Sequence, residues 1–102
     1  MRIYDKAEWQ IDGGIDKSSV SEHFKLLFEW LNENGLLNDD GKEICELGSF
    51  SEVSLHSELL TDLGRSFIEN HYDDVASKHR YDNSDFIDAL AKMFIGNSDN
   101  NG

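Results

Sequence analysis

The apolar side chains of this 102-residue chain recur at spacings of three and four, and no stretch alternates apolar and polar residues for long enough to make a sustained strand. Such spacing places apolar residues on one face of an α-helix. Proline is absent, so glycine and capping residues must set the helix ends. The pattern predicts an all-α fold, a compact bundle of three main helices plus one or two short helical turns.

The clearest predicted helix covers residues 19–34. Ser19 followed by Glu22 has the form of a capping box at its start, and Gly35 is a typical left-handed terminator at its end. The apolar residues between these ends fall on one stripe, formed by Val20, Phe24, Leu27, Phe28 and Leu31. We expect this stripe to face the core.

Two further helices are predicted at 60–78 and 84–95. Thr61 and Ser84 are their expected caps. Gly64 costs about 1 kcal/mol relative to alanine inside a helix, which is tolerable near the start or where another backbone approaches closely. Residues 1–95 are expected to form a single helical domain and residues 96–102 a disordered tail.

The segment 3–11 is predicted to form a short helical turn. Asp5 and Glu8 stand three apart, as in a capping arrangement. Tyr4 and Trp9 supply large apolar area, so we expect both rings to hold this segment against the core.

The stretch between the first two long helices gives a weaker pattern. Ile44 and Leu47 stand three apart within the polar segment 38–49, where a brief helix is possible. Residues 50–60 fit a helical turn or an extended segment equally well.

The charge limits the partners of the chain. Twenty-one Asp and Glu stand against nine Lys and Arg, which gives a formal charge of -12. A surface this negative disfavours direct binding to nucleic acid or anionic membranes and attracts basic partners. Simple solubility is the alternative explanation of the same charge.

No motif for catalysis or metal binding stands out, so we expect no enzyme activity, metal or cofactor. The four histidines, His23, His56, His71 and His79, show no helical i, i+3 or i+4 pair. Glu43 and Glu46 are expected to raise the pKa of the single cysteine, Cys45, and so to make it a poor nucleophile. One cysteine, no signal-like start and no long apolar run favour a cytoplasmic protein.

Acidic residues concentrate in two parts of the chain. The predicted partner-binding site is the later group with two tyrosine anchors: Glu69, Tyr72, Asp73, Asp74, Tyr81, Asp82, Asp85 and Asp88. A second group, around the end of the first long helix, contains Glu29, Glu33, Asp39 and Asp40. A solvated polar face, and ordinary packing of the tyrosines, are the alternative interpretations.

Three blocks of the chain resemble a small bacterial family of uncharacterised proteins. The segment from Tyr4 to Trp9 resembles that family's opening motif, YDKAxWH, with Gln10 where the family commonly has histidine. The later blocks are His23 with Phe28, Trp30 and Asn34-Gly35-Leu36, and Leu60-Thr61 with Gly64, Phe67 and Tyr72. Lys25 replaces a small residue of the family pattern. The resemblance implies no activity, but the size and charge are similar to those of immunity proteins of contact-dependent growth inhibition systems.

Three hypotheses about function follow. The first is an immunity protein that binds a cognate basic bacterial toxin domain, a nuclease acting on RNA or DNA, and occludes its active site with an acidic face. The second is an acidic regulatory or adaptor module that binds another basic cytosolic protein. The third is an enzyme whose site the sequence does not reveal.

Overall fold

A computed structural model describes residues 2–48, 50, 52–78 and 85–99, with side chains to Phe94 in the last range. Helix is the main secondary structure within these residues. The elements in chain order are β1 (Ile3–Lys6), α1 (Ala7–Asp12), α2 (Lys17–Glu33), α3 (Asp39–Leu47), β2 (Ser54–His56), a 3-10 turn (Ser57–Leu59), α4 (Asp62–Lys78) and α5 (Asp85–Asp99).

A small sheet corrects the all-α prediction. β1 and β2 pair antiparallel, with Asp5 opposite Leu55 and Lys6 opposite Ser54. The helical turn predicted for 3–11 therefore begins only at Ala7, whose amide donates to the Val53 carbonyl at 3.0 Å. Strands of four and three residues are too short to show an alternating pattern, and their pairing depends on residues about fifty positions apart.

The helix predicted at 19–34 is present but begins two residues earlier. Its N-cap is Asp16, whose side chain accepts from the amides of Ser18 at 3.1 Å and Ser19 at 3.3 Å. Ser19 is therefore inside the helix, and the predicted capping box is wrong. The predicted end is confirmed, because Gly35 has φ of 70° and the Leu36 amide returns to the Leu31 carbonyl at 2.9 Å.

The brief helix considered for 38–49 is present as α3. The Asn38 side chain caps it by accepting from the amide of Gly41 at 3.0 Å. Gly41 packs on the 3-10 turn so closely that a Cβ atom would overlap the Leu59 carbonyl. This contact fixes α3 against the segment that leads into α4.

Helix α4 confirms the prediction at 60–78 within two residues. The Thr61 hydroxyl oxygen accepts from the Gly64 amide at 3.1 Å, as expected of a cap. Gly64 lies where another backbone approaches, since a Cβ atom there would overlap the Leu36 carbonyl. A glycine that weakens the isolated helix thus allows α4 to pack against the turn after α2.

Helix α5 confirms the last predicted helix, although it continues to Asp99 and so runs four residues past the expected end. The expected cap Ser84 and residues 100–102 of the expected tail lie outside the described residues. Trp30, Phe67 and Phe94 join α2, α4 and α5, with ring centroids 5.3–5.7 Å apart. This aromatic contact ties the long helices into one bundle.

The core confirms the apolar stripe of α2. All five of its residues are fully buried, and Leu55, Phe86 and Leu90 from other elements join them. Trp9 does not hold its segment to the core as expected: it is 51% exposed, with Lys6 Nζ 5.9 Å from its ring centroid. Half-buried Tyr4 packs against the core as expected, together with buried Ala7.

Candidate functional site

Glu69, the first predicted site residue on α4, contacts the N-terminal segment. The Tyr4 hydroxyl donates to Glu69 Oε2 at 2.5 Å, and Arg2 Nη1 lies 3.7 Å from Glu69 Oε1. Partial burial and then the Glu69 carboxylate raise the pKa of Tyr4 to about 12. The negative charge of Glu69 is therefore partly compensated within the chain.

The other predicted carboxylates on α4 and α5 are exposed. Asp74 pairs with Lys78 at 3.3 Å, whereas Asp73 has no ion pair with any described residue. Asp85 and Asp88 lie in the first turn of α5. Positions 69 and 73 share one face of α4, whereas position 74 is turned about 100° away from position 73. The predicted carboxylates of α4 therefore do not all lie on one face. Tyr81 and Asp82 lie outside the described residues.

Tyr72 is not a surface anchor, which corrects its place in the predicted site. It is 2% exposed, and its hydroxyl donates to Asp5 Oδ2 at 2.7 Å. His23 Nε2 lies 3.3 Å from the same hydroxyl oxygen. Ile68 and Val75, which share this face of α4, are buried as well, so the Tyr72 ring fills the core and cannot reach a partner in this conformation.

A buried polar network therefore forms around Asp5, which is 2% exposed. Its Oδ1 accepts from the Lys6 amide and from Gln10 Nε2, each at 2.8 Å, while Oδ2 accepts from Tyr72. Three donors offset much of the cost of burying a carboxylate. No sequence pattern indicates this network, because Asp5 resembles a helix-capping residue.

His23 completes the network from α2. Its ring meets Phe24 and Phe86 edge to face, with centroids 5.0 and 4.6 Å apart. Burial lowers the pKa of His23 to about 4, so the ring is neutral at pH 7. The neutral, enclosed ring of His23 thus links α2 to α4 through Tyr72 and to α5 through Phe86.

The second acidic group of the sequence is extended by α3. We name its six members the α2–α3 carboxylates; they are Glu29, Glu33, Asp39, Asp40, Glu43 and Glu46, all of them exposed. None of them forms an ion pair within the part of the chain that the structure describes. Lys42, which is exposed on α3, forms no ion pair with them either, so six carboxylates stand against one lysine of α3 on this surface.

Cys45 lies near one carboxylate of α2 and one of α3. Partial burial, followed by the charges of Glu29 and Glu46, raises the pKa of its thiol. The expected increase in the pKa of Cys45 caused by Glu46 is therefore present. The second acidic residue that raises this pKa is Glu29, whereas Glu43 was expected. A thiol in this surrounding stays protonated and is a poor nucleophile.

An open groove of about 480 Å³ separates α3 from the small sheet. Its apolar lining includes Ile3, Ile44, Leu47, Val53 and Leu59, and its polar lining includes Lys6, Glu52 and His56. Leu47, in the last turn of α3, is 70% exposed. The Nδ1 atom of His56 is buried and has no hydrogen-bond partner among the described residues.

Comparisons of the chain with models of known families, with curated proteins and with solved structures gave no match. Within the described residues, no three His, Cys, Asp or Glu side chains are arranged to hold a metal ion. No described helix is both long enough and apolar enough to cross a bilayer.

Proposed function

We propose that this chain is an immunity-type inhibitor that acts in the cytoplasm. It binds the basic domain of a cognate bacterial toxin, a nuclease, and occludes the toxin's active site. The carboxylates of the inhibitor take the place of substrate phosphates against the Lys and Arg side chains of the toxin. The observation that carries the proposal is the exposed surface of α2 and α3, whose six carboxylates have no ion pair among the described residues.

The helical framework suits this role because it holds the charges in fixed positions. α2 is anchored by its fully buried apolar stripe, and α3 by the close contact of Gly41 with the 3-10 turn. Charges on a rigid support bind with less loss of conformational entropy than charges on a mobile tail. The formal charge of -12 also speeds the encounter with a cationic target.

The predicted carboxylates of α4 and α5 form the second candidate surface. Asp73, Asp85 and Asp88 are exposed there, but Glu69 and Asp74 already contact Arg2 and Lys78. The nearby cation partly offsets the charge of such a carboxylate and so weakens its attraction for a new cation. The α2–α3 carboxylates are therefore the favoured contact.

Co-expression with a basic toxin domain from a neighbouring reading frame, which the proposal requires, tests it. We expect the chain to restore growth and to co-purify with the toxin domain as a stable complex. Failure of both rescue and binding would contradict the proposal. Capture of a basic host protein, in cells that encode no such toxin, would support the regulatory alternative instead.

Two matched double variants locate the contact. Glu29→Lys with Glu46→Lys, and Asp73→Lys with Asp74→Lys, each replace two negative charges by two positive ones, so both alter the net charge equally. We expect the first pair to slow association with the toxin domain more than the second, with a difference that shrinks as salt rises. The reverse order would move the interface to α4.

A further inference from the structure

We infer that the groove between α3 and the small sheet receives an apolar side chain of the basic partner protein, from a segment in which Lys or Arg residues flank that side chain. This inference deepens the proposed function and rests on it. It assigns the anchor of the complex to a surface that the sequence did not indicate.

The apolar floor of the groove is the first reason. Ile3, Ile44, Val53 and Leu59 reach it from β1, α3, the segment before β2 and the 3-10 turn. Leu47 stands at its border and is the most exposed large apolar side chain among the described residues. Binding energy at protein interfaces concentrates in pockets of this kind, where an apolar anchor is fully desolvated.

The charge around the groove is the second reason, and it determines the occupant. Glu52 lines the groove itself. Asp40 and Glu43 lie four positions before Ile44 and Leu47, so they share the groove side of α3. None of these three carboxylates has an ion pair among the described residues. An apolar floor with a negative border complements an apolar side chain between cations.

Lys6 is a cation in the lining, so the flanking Lys or Arg of the partner must lie on the side of Glu52, Asp40 and Glu43 and not beside Lys6. Its Nζ atom lies 5.9 Å from the ring centroid of Trp9, so the ammonium group is directed to the indole. Trp9 is 51% exposed and extends the apolar surface beyond Lys6. Trp is among the residues that most often dominate binding energy when a partner covers them.

Two exposed leucines provide a matched pair of variants for the test. Leu47 borders the groove, whereas Leu63, which is 59% exposed, lies in the first turn of α4 and does not line it. Leu47→Gln and Leu63→Gln make the same chemical change on the surface. Equal thermal stability of the two variants would show that any difference in binding is local.

The first arm of the experiment needs no toxin. Random peptides displayed on phage are selected against the immobilised full chain, and the enriched peptides are synthesised. We expect them to combine an apolar residue with neighbouring Lys or Arg, and to lose about tenfold or more in affinity on Leu47→Gln but not on Leu63→Gln. Peptides unaffected by Leu47→Gln, or no enrichment, would overturn the inference.

The second arm applies the same two variants to the toxin domain. If the toxin domain binds and Leu47→Gln leaves its affinity unchanged, the groove inference fails while the proposed function stands. If peptides with an apolar residue and neighbouring Lys or Arg occupy the groove but no toxin is inhibited, the proposed function fails. The inference that the groove binds such a segment then still stands. A dimer of the free chain that Leu47→Gln dissociates, detected by light scattering, would assign the groove to a second copy and overturn the inference.

Discussion

The Tyr72 hydroxyl determines the direction of the buried hydrogen bonds. Its O–H group donates a hydrogen bond to Asp5 Oδ2, so its oxygen is left to accept a hydrogen bond from His23 Nε2. This direction places a proton on Nε2, and because burial lowers the pKa of His23 to about 4, the ring at pH 7 is the neutral tautomer that carries its proton there. One side chain thus satisfies a buried carboxylate and a buried imidazole together.

Removing that hydroxyl tests the network. We expect Tyr72→Phe to lower the free energy of unfolding by about 1–3 kcal/mol, because the buried Asp5 carboxylate loses a donor. Urea titration measures the change. Tyr4→Phe is the matched control, since its hydroxyl bonds the exposed Glu69 and its loss should cost at most about 1 kcal/mol. Equal losses in the two variants would contradict the structural role of the network.

The buried histidine also predicts how stability depends on pH. The pKa of His23 is about 4 in the folded chain and 6.5 in the unfolded chain, so the unfolded chain takes up a proton first as the pH falls. The contribution of His23 to the free energy of unfolding is therefore complete above pH 6.5 and is lost progressively as the pH falls to about 4. The total loss is about 3 kcal/mol.

Comparison with His23→Gln isolates this contribution, because glutamine does not titrate and can still donate to Tyr72. Unfolding free energies of both proteins are measured from pH 7 to pH 4. We expect the parent chain to lose stability faster than the variant as the pH falls. A difference between the two proteins that stays constant across this range would contradict the assignment.

At the level of the elements, the start of α2 offers a direct test of a corrected boundary. Asp16→Ala removes the side chain that accepts from the Ser18 and Ser19 amides, and we expect it to cost about 1 kcal/mol. Ser19→Ala should change stability by less than about 0.5 kcal/mol. Thermal unfolding of the two variants measures both effects, and a larger effect at Ser19 would restore the cap expected from the sequence.

The packing of α4 on the turn after α2 predicts an unusual response to alanine. Gly64→Ala should gain about 1 kcal/mol from helix propensity. The new methyl group, however, overlaps the Leu36 carbonyl, so we expect a net loss of about 1–3 kcal/mol. Ser66→Ala, on the exposed face of the same helix, is the control. A stabilised Gly64→Ala variant would show that the two backbones are further apart.

The long helices could be predicted from the sequence because their signals are local. The α2 stripe, Gly35 and Thr61 each act within a few residues of the boundary that they indicate. The sheet could not be predicted this way, since Asp5 meets Leu55 only through tertiary pairing. The candidate site could likewise be predicted only in part. The sequence shows where acidic residues concentrate, but it does not show that Glu69 contacts Arg2 and Tyr4, which lie more than sixty residues away.

For the whole molecule, the distribution of charge carries more information than its sum. Three ion pairs join one described residue to another, and each involves a carboxylate of α4: Asp62, Glu69 or Asp74. The surface of α2 and α3 keeps its carboxylates without such partners and borders the apolar groove through α3. Charge that attracts a basic protein thus lies beside an apolar surface that can hold it.

The most direct test is the rate at which this chain associates with an inactive form of the proposed toxin domain, measured by stopped-flow fluorescence over a series of salt concentrations. Capture by the acidic surface predicts fast association at low salt and a steep fall as ionic strength rises, by about tenfold or more. An association rate that does not change with salt, or a natural partner that is itself an anion, would contradict the account.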